Sequence, residues 1–254
     1  MAEILAPGFD AVTRLSRRRF MALGAATAAA CLVPPTLALA RQAGQGPPSS
    51  EAEGFLFPRV RFFVNDNTPQ HWNYEPIGDI TLLHKIQKDT GKITCPERRV
   101  VDLGDLDNLV RYPFVFMTAR GTFKLPEQEE RNLREFLDRG GFIYADDCVY
   151  NQQDRFFRSF VELMNSLYPD NRMRKIPHDH ELFHIFYDFE NGAPHLKGVP
   201  HGAFGLFEPA SGRLSAIVTP GDVHCGWVNR WFSPEQNLAA LKMGVNIVIY
   251  FLTH

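Results

Sequence analysis

Two adjacent carboxylates close the stretch Gly-Gly-Phe-Ile-Tyr-Ala-Asp-Asp-Cys, which runs from Gly140 to Cys148. An apolar run between glycines and polar residues reads as a short buried strand, followed by a turn into another helix. In several α/β enzyme families the residue at such a turn is a catalytic nucleophile; here the turn carries Asp146, Asp147 and Cys148. Set against the amino end of the next helix, the two aspartates can bind a cation, orient a sugar's hydroxyls, or serve as acid and base. The competing reading makes one a helix cap and pairs the other with Arg120 or Arg155. His178, Asp179, His180 and His184 form a second cluster. If a short helix starts near Asp179, His180 and His184 share a face at i and i+4, a spacing that can ligate zinc. The glutamate of His-Glu-x-x-His is absent, so no metal-ligand set is assigned. In the structural alternative, Asp179 caps and His184 packs beneath aromatic neighbours.

The segments His71-Trp72-Asn73-Tyr74 and His224-Cys225-Gly226-Trp227 place tryptophans beside polar groups. Exposed indole faces are platforms for sugar rings, with polar neighbours reading the hydroxyls; alternatively Trp72 and Trp227 plug the upper rim of a sheet. Arg120 follows a strand and can fork onto a ligand's carboxylate or onto Asp146. Asp146, Asp147 and His180 are therefore the candidate acid–base residues. His71, Trp72, Arg120, His184, His224 and Trp227 are the candidate ligand contacts.

These residues need a scaffold that gathers strand ends. Continuous apolar runs at 59–64, 98–103, 113–118, 141–145 and 214–219 read as strands covered on both faces. Between them, helical patterns start at Asp79, at Pro126 and around Asn151–Asp154, the last spaced like a cap with a reciprocal acid. Ser233, Pro234 and Gln236 open a C-terminal helix with capping-box spacing. The alternation predicts an α/β fold: an open, doubly wound, mostly parallel sheet with helices on both faces, whose site lies beyond the carboxyl ends of the strands.

The N-terminus reads differently. Ser-Arg-Arg-Arg-Phe-Met at 16–21, an alanine-rich apolar run and Ala38-Leu39-Ala40 match a twin-arginine export signal over residues 1–40. Residues 41–54 read as a flexible linker, leaving one domain over residues 55–254. The expected location is the periplasm, or the membrane if the signal stays uncleaved as an anchor. Without residues 1–40 the chain carries 23 basic and 27 acidic residues, a balance that argues against a nucleic-acid partner. Cys95, Cys148 and Cys225 remain in no Cys-x-x-Cys pair, so a cysteine-built zinc or iron–sulfur site is not expected. Cys148 and Cys225 both follow strand ends, where a disulfide is conceivable; buried free thiols are the expectation.

Five segments, Gly-Gly-Phe-Ile-Tyr-Ala-Asp-Asp-Cys, Phe-Phe-Arg-Ser-Phe, Asp-His-Glu-Leu-Phe-His-Ile-Phe-Tyr-Asp-Phe, His-Cys-Gly-Trp and Lys-Met-Gly-Val-Asn-Ile-Val-Ile-Tyr-Phe-Leu-Thr, together resemble the bacterial family of unknown function DUF4159, from about Val60 to the C-terminus. The resemblance implies a class I glutamine amidotransferase-like fold, close to the flavodoxin type. Laid on that pattern, Asp146 stands where the nucleophilic cysteine would sit. The oxyanion glycine pair is reduced to Gly121 in Ala119-Arg120-Gly121. Since an aspartate cannot form the thioester of glutamine hydrolysis, the resemblance implies an elbow whose cysteine is absent. The expected function is a binding module of the cell envelope for a small polar or sugar-like ligand or an envelope protein partner. Two alternatives stand beside it: a hydrolase, metal-assisted or not, using Asp146, Asp147 and His180, and a structural subunit of a membrane complex held by an uncleaved N-terminal helix. No cofactor is named by the residues.

Overall fold

The computed structural model describes residues 54–65, 70–91, 97–149, 151 and 153–254. The expected export signal, most of the expected linker, Cys31 and Cys95 lie outside the described residues. Strands β1 (Arg59–Arg61), β2 (Val100–Asp102), β3 (Phe114–Ala119), β4 (Phe142–Asp147), β5 (Arg174–Lys175), β6 (Phe204–Phe207) and β7 (Leu214–Thr219) form one sheet in the order β2-β1-β3-β4-β7-β6-β5. The first five strands in that order are parallel; β6 and β5 join antiparallel. The order of the parallel part is that of flavodoxin-type sheets, which turn back between their first and third strands and open a crevice at the carboxyl edge.

Successive strand residues point to opposite faces, which explains why the central strands are apolar throughout rather than alternating. Val115, Met117, Ile143, Ala145, Ala216 and Val218 face one side, against Leu133 and Phe136 of α3 (Glu127–Asp138) and Phe156, Phe160 and Met164 of α4 (Arg155–Leu167). Phe114, Phe116, Phe142, Tyr144 and Ile217 face the other. There they meet Leu82, Leu83 and Ile86 of α1 (Ile77–Thr90), Trp227 of α5 (Val223–Trp227) and Met243, Ile247 and Phe251 of α6 (Pro234–Thr253). A short helix, α2 (Leu106–Leu109), links β2 to β3. The sheet is therefore covered on both faces, as the apolar runs predict.

Local chemistry sets the ends of the elements. At α6 the Ser233 hydroxyl accepts from the Gln236 N–H and the Gln236 side chain accepts from the Ser233 N–H, the reciprocal cap that the spacing predicts. At α4, Asp154 holds the cap position, yet its carboxylate pairs with Arg158 and His201 instead. The cap comes from a residue seven positions earlier, Asp147. Glycine at 226 lets α5 and α6 approach, because an added Cβ would lie 2.4 Å from that of Ala240. Among the described residues no helix is long and apolar enough to cross a membrane; the anchor reading falls on residues 1–40, outside them.

Candidate functional site

Strand alternation decides what the aspartate pair can do. Asp146 lies on the face of Tyr144 and Asp147 on the face of Ala145, so the two carboxylates diverge to opposite sides of the sheet. Each ends on the helix that covers its own face. Asp146 accepts from the backbone N–H of His224 at 2.8 Å and of Val223 at 3.2 Å, and from the Thr219 hydroxyl at 2.5 Å, capping α5. Asp147 accepts from the Phe157 N–H at 2.9 Å, capping the first turn of α4. Both are fully buried. Burial raises both carboxyls well above the ordinary aspartate value; for Asp146 the Thr219 hydrogen bond opposes this, for Asp147 the Phe157 N–H does, and the Asp222 charge adds to the rise in both.

The two aspartates are therefore not an acid–base dyad. Nor does Asp146 sit at an elbow, because β4 extends through Asp147 with Asp146 paired to Thr118 and Thr219 on either side. Cys148 is the first residue beyond the strand, its N–H still donating to the Ala119 carbonyl.

His180 is far from this pair. Its ring packs on Phe207 and Tyr250, and Phe207 pairs with Leu214, the start of β7, whereas Asp146 pairs with Thr219, its end. Those five steps of strand place His180 roughly 16 Å away along the sheet. Its Nδ1 accepts from the Leu182 N–H, a local cap. His184 is tied to the His178 carbonyl and to Asp188. Asp146 and Asp147 therefore do not converge with His180 or His184. Trp72, Trp227, His71 and His224 are buried as well. Trp227 donates from Nε1 to the Ala240 carbonyl and plugs the core under α6, so it offers no sugar platform.

His224 belongs to a buried charge network. Arg59, wholly buried on β1, donates from Nη2 and Nε to the two carboxylate oxygens of Asp79 of α1 at 2.6 and 3.0 Å. Its Nη2 also stands 2.8 Å from His224 Nε2. A guanidinium only donates, so Nε2 accepts; burial and the neighbouring Arg59 charge keep this imidazole neutral. Burial alone would raise the Asp79 carboxyl, but the Arg59 guanidinium holds it below its ordinary value. Nη1 of Arg59 then donates to the carbonyls of Trp72 and Tyr74, at 3.2 and 2.6 Å. The loop after β1 is thus fastened from inside the core.

That fastening builds a wall. Tyr74 stacks on His71 with ring centroids 4.6 Å apart, and Arg120, at the end of β3, donates to His71 Nε2 and lies over the Tyr74 ring. Tyr74 and Arg120 line a cleft of about 490 Å³ with Cys148, Val149, Lys197, Asp222, Cys225, Trp231 and Phe232. Of the sequence candidates only Arg120 faces it directly. The missed residues have separate reasons. Trp231, half exposed, follows a helix too short to show periodicity, and Lys197 sits in a long connection with no motif. Cys148 and Cys225 are the buried free thiols expected, with Sγ atoms 3.4 Å apart; that both reach the cleft is what their spacing in the chain does not show. The Cys225 contact favours the Cys148 thiolate, but burial and the Asp222 and Asp146 charges outweigh it and raise that thiol above its ordinary value. An activated nucleophile needs the reverse.

A doubly wound α/β domain with a crevice beyond its parallel strands is of the class that holds small ligands at the sheet's carboxyl edge. The chain belongs to the DUF4159 family, described as a domain of unknown function, whose model matches residues 61–252. No curated protein matches the chain.

Proposed function

We propose that this domain is a non-enzymatic ligand-binding module of the cell envelope, on an amidotransferase-like scaffold, taking a small polar ligand of anionic, sugar-like character. The supporting observation is the cleft itself: two cationic side chains, Arg120 and Lys197, and three aromatic ones, Tyr74, Trp231 and Phe232, around about 490 Å³, a volume typical of small-molecule sites. The aromatic faces suit a sugar ring and the cations suit a carboxylate or phosphate on it. The hydrolase alternative loses its support because its acids are spent as helix caps and its histidine lies at the other end of the sheet.

The test is calorimetry of the full-length chain with glucuronate and hexose phosphates. Saturable binding without turnover is expected. Lys197→Ala or Arg120→Ala should weaken it about tenfold, some 1.4 kcal/mol. Cleavage of any of these compounds, or binding indifferent to both substitutions, overturns the proposal. The envelope location is tested separately: Arg17→Lys with Arg18→Lys should hold the folded precursor in the cytoplasm, and undiminished periplasmic accumulation would sink it.

A further inference from the structure

Two chain segments far apart in sequence bring soft and charged donors to the floor of the cleft. Cys148 leaves β4, Cys225 lies on α5, and Asp222 immediately precedes α5. One ligand atom from each lies within 4.8 Å of the other two, and the three residues are 6 %, 4 % and 4 % exposed. Asp222 is the singular member. Its residue holds the cap position of α5, yet its side chain makes no cap hydrogen bond, that task having passed to Asp146. Its Oδ1 is buried with no hydrogen-bond partner among the described residues. A buried carboxylate oxygen left without a donor costs about 1–3 kcal/mol. Arg120 and Lys197 are cations on the same cleft.

We propose that Cys148, Cys225 and Asp222 form a site for a zinc-class divalent cation, with its fourth coordination position open to the cleft. Two thiolates and one carboxylate are a soft, borderline donor set that suits zinc and discriminates against magnesium and calcium, which take oxygen ligands. Tetrahedral zinc with bonds of about 2.3 Å holds two sulfurs about 3.8 Å apart. The observed separation, 3.4 Å, needs a shift of a few tenths of an ångström to meet it. A disulfide would require closure to about 2.05 Å and would still leave the Asp222 oxygen without a partner. The cation accounts for the carboxylate; the disulfide does not. Three protein ligands and one open position are the pattern of sites that receive an exchangeable ligand rather than purely structural ones.

The inference shares the cleft with the ligand-binding reading but is tested with no organic ligand present. The full-length protein, reduced and stripped of metal, is titrated with Zn²⁺ against a chromophoric chelator, and with Co²⁺ followed by absorbance. The expected result is one equivalent bound, with a thiolate-to-cobalt charge-transfer band and intense tetrahedral ligand-field bands. Cys225→Ser should diminish that band. Asp222→Asn should weaken zinc by more than the roughly 10–100-fold that loss of an outer-shell partner costs. Asn keeps the shape and tolerates the left-handed backbone at this position, φ +61°, so the variant reads the site even if the cysteine variant fails to fold. Binding well below one equivalent, unchanged affinity in Asp222→Asn, or a Cys148–Cys225 disulfide that forms in preference to metal uptake overturns the proposal. Metal uptake without sugar-acid binding would keep this site and discard the ligand reading; the reverse result would do the opposite.

Discussion

Asp146→Ala should lower the free energy of unfolding by roughly 3–5 kcal/mol, read as a shifted urea midpoint at unchanged slope. The substitution strips acceptors from two backbone N–H groups of α5 and from the Thr219 hydroxyl, all in the sealed core. Each buried donor left unpaired costs about 1–3 kcal/mol, and their shared relaxation keeps the sum below full additivity. Asp147→Ala should cost less, about 1–2 kcal/mol, because a single N–H depends on it and its Oδ1 already lacks a partner among the described residues. A residue kept for chemistry rather than architecture shows the opposite sign, since removing it relieves repulsion. If Asp146→Ala changed stability by less than 1 kcal/mol, the capping role would be lost.

Arg59→Met should be as severe, about 3–5 kcal/mol, because it leaves the Asp79 carboxylate buried without its counter-charge and the Trp72 and Tyr74 carbonyls without a donor. The pH dependence gives the cause away. With Arg59 present, the Asp79 carboxyl sits below its ordinary value. Its pairing therefore stabilises the fold above about pH 4 and is lost as pH falls through the folded value. Without Arg59, burial raises the same carboxyl, so the variant is penalised as pH rises above about 4. The gap between the two proteins should widen between pH 4 and pH 7, and Asp79→Leu added to Arg59→Met should close much of it. A gap independent of pH, or no rescue by the second change, would show that lost packing rather than lost charge pairing is responsible. Because the same guanidinium fastens the loop carrying Tyr74, the single variant should also weaken whatever the cleft binds.

Much of the scaffold is legible in the residues. The continuous apolar runs at β3, β4 and β7 announce strands covered on both faces, and Ser233 with Gln236 announces the start of α6. The strand at 141–145 extends two residues further than its apolar run, and that short extension governs the reading of the site. Once Asp146 and Asp147 lie on the strand, alternation separates them, and neighbours in sequence become residents of different layers. The histidines at 178–184 fall at the wrong end of the sheet because the connection from α4 returns through an antiparallel pair, β5 and β6, and those strands are too short to show a period. His-Cys-Gly-Trp reads as an exposed loop since five residues make barely more than one helical turn; packing against α6 buries it. The Cys148–Cys225 approach depends on two strand ends meeting across β4 and β7, which spacing in the chain does not encode.

Neither margin of the sheet invites another chain to add to it. On one side the last strand, β5, is two residues long and both are exposed cations, Arg174 and Lys175. On the other, β2 has three residues, and its Asp102 is clasped by Arg61 of β1. Short, charged margins are the means by which proteins with strongly apolar strands avoid edge-to-edge polymerisation. The most aggregation-prone segments here, β3 and β4, each have six buried residues. They are shielded by sequestration in the middle of the sheet rather than by charges of their own. The native protein should tolerate crowding well, while a partly unfolded chain that exposes β3 or β4 has no such protection.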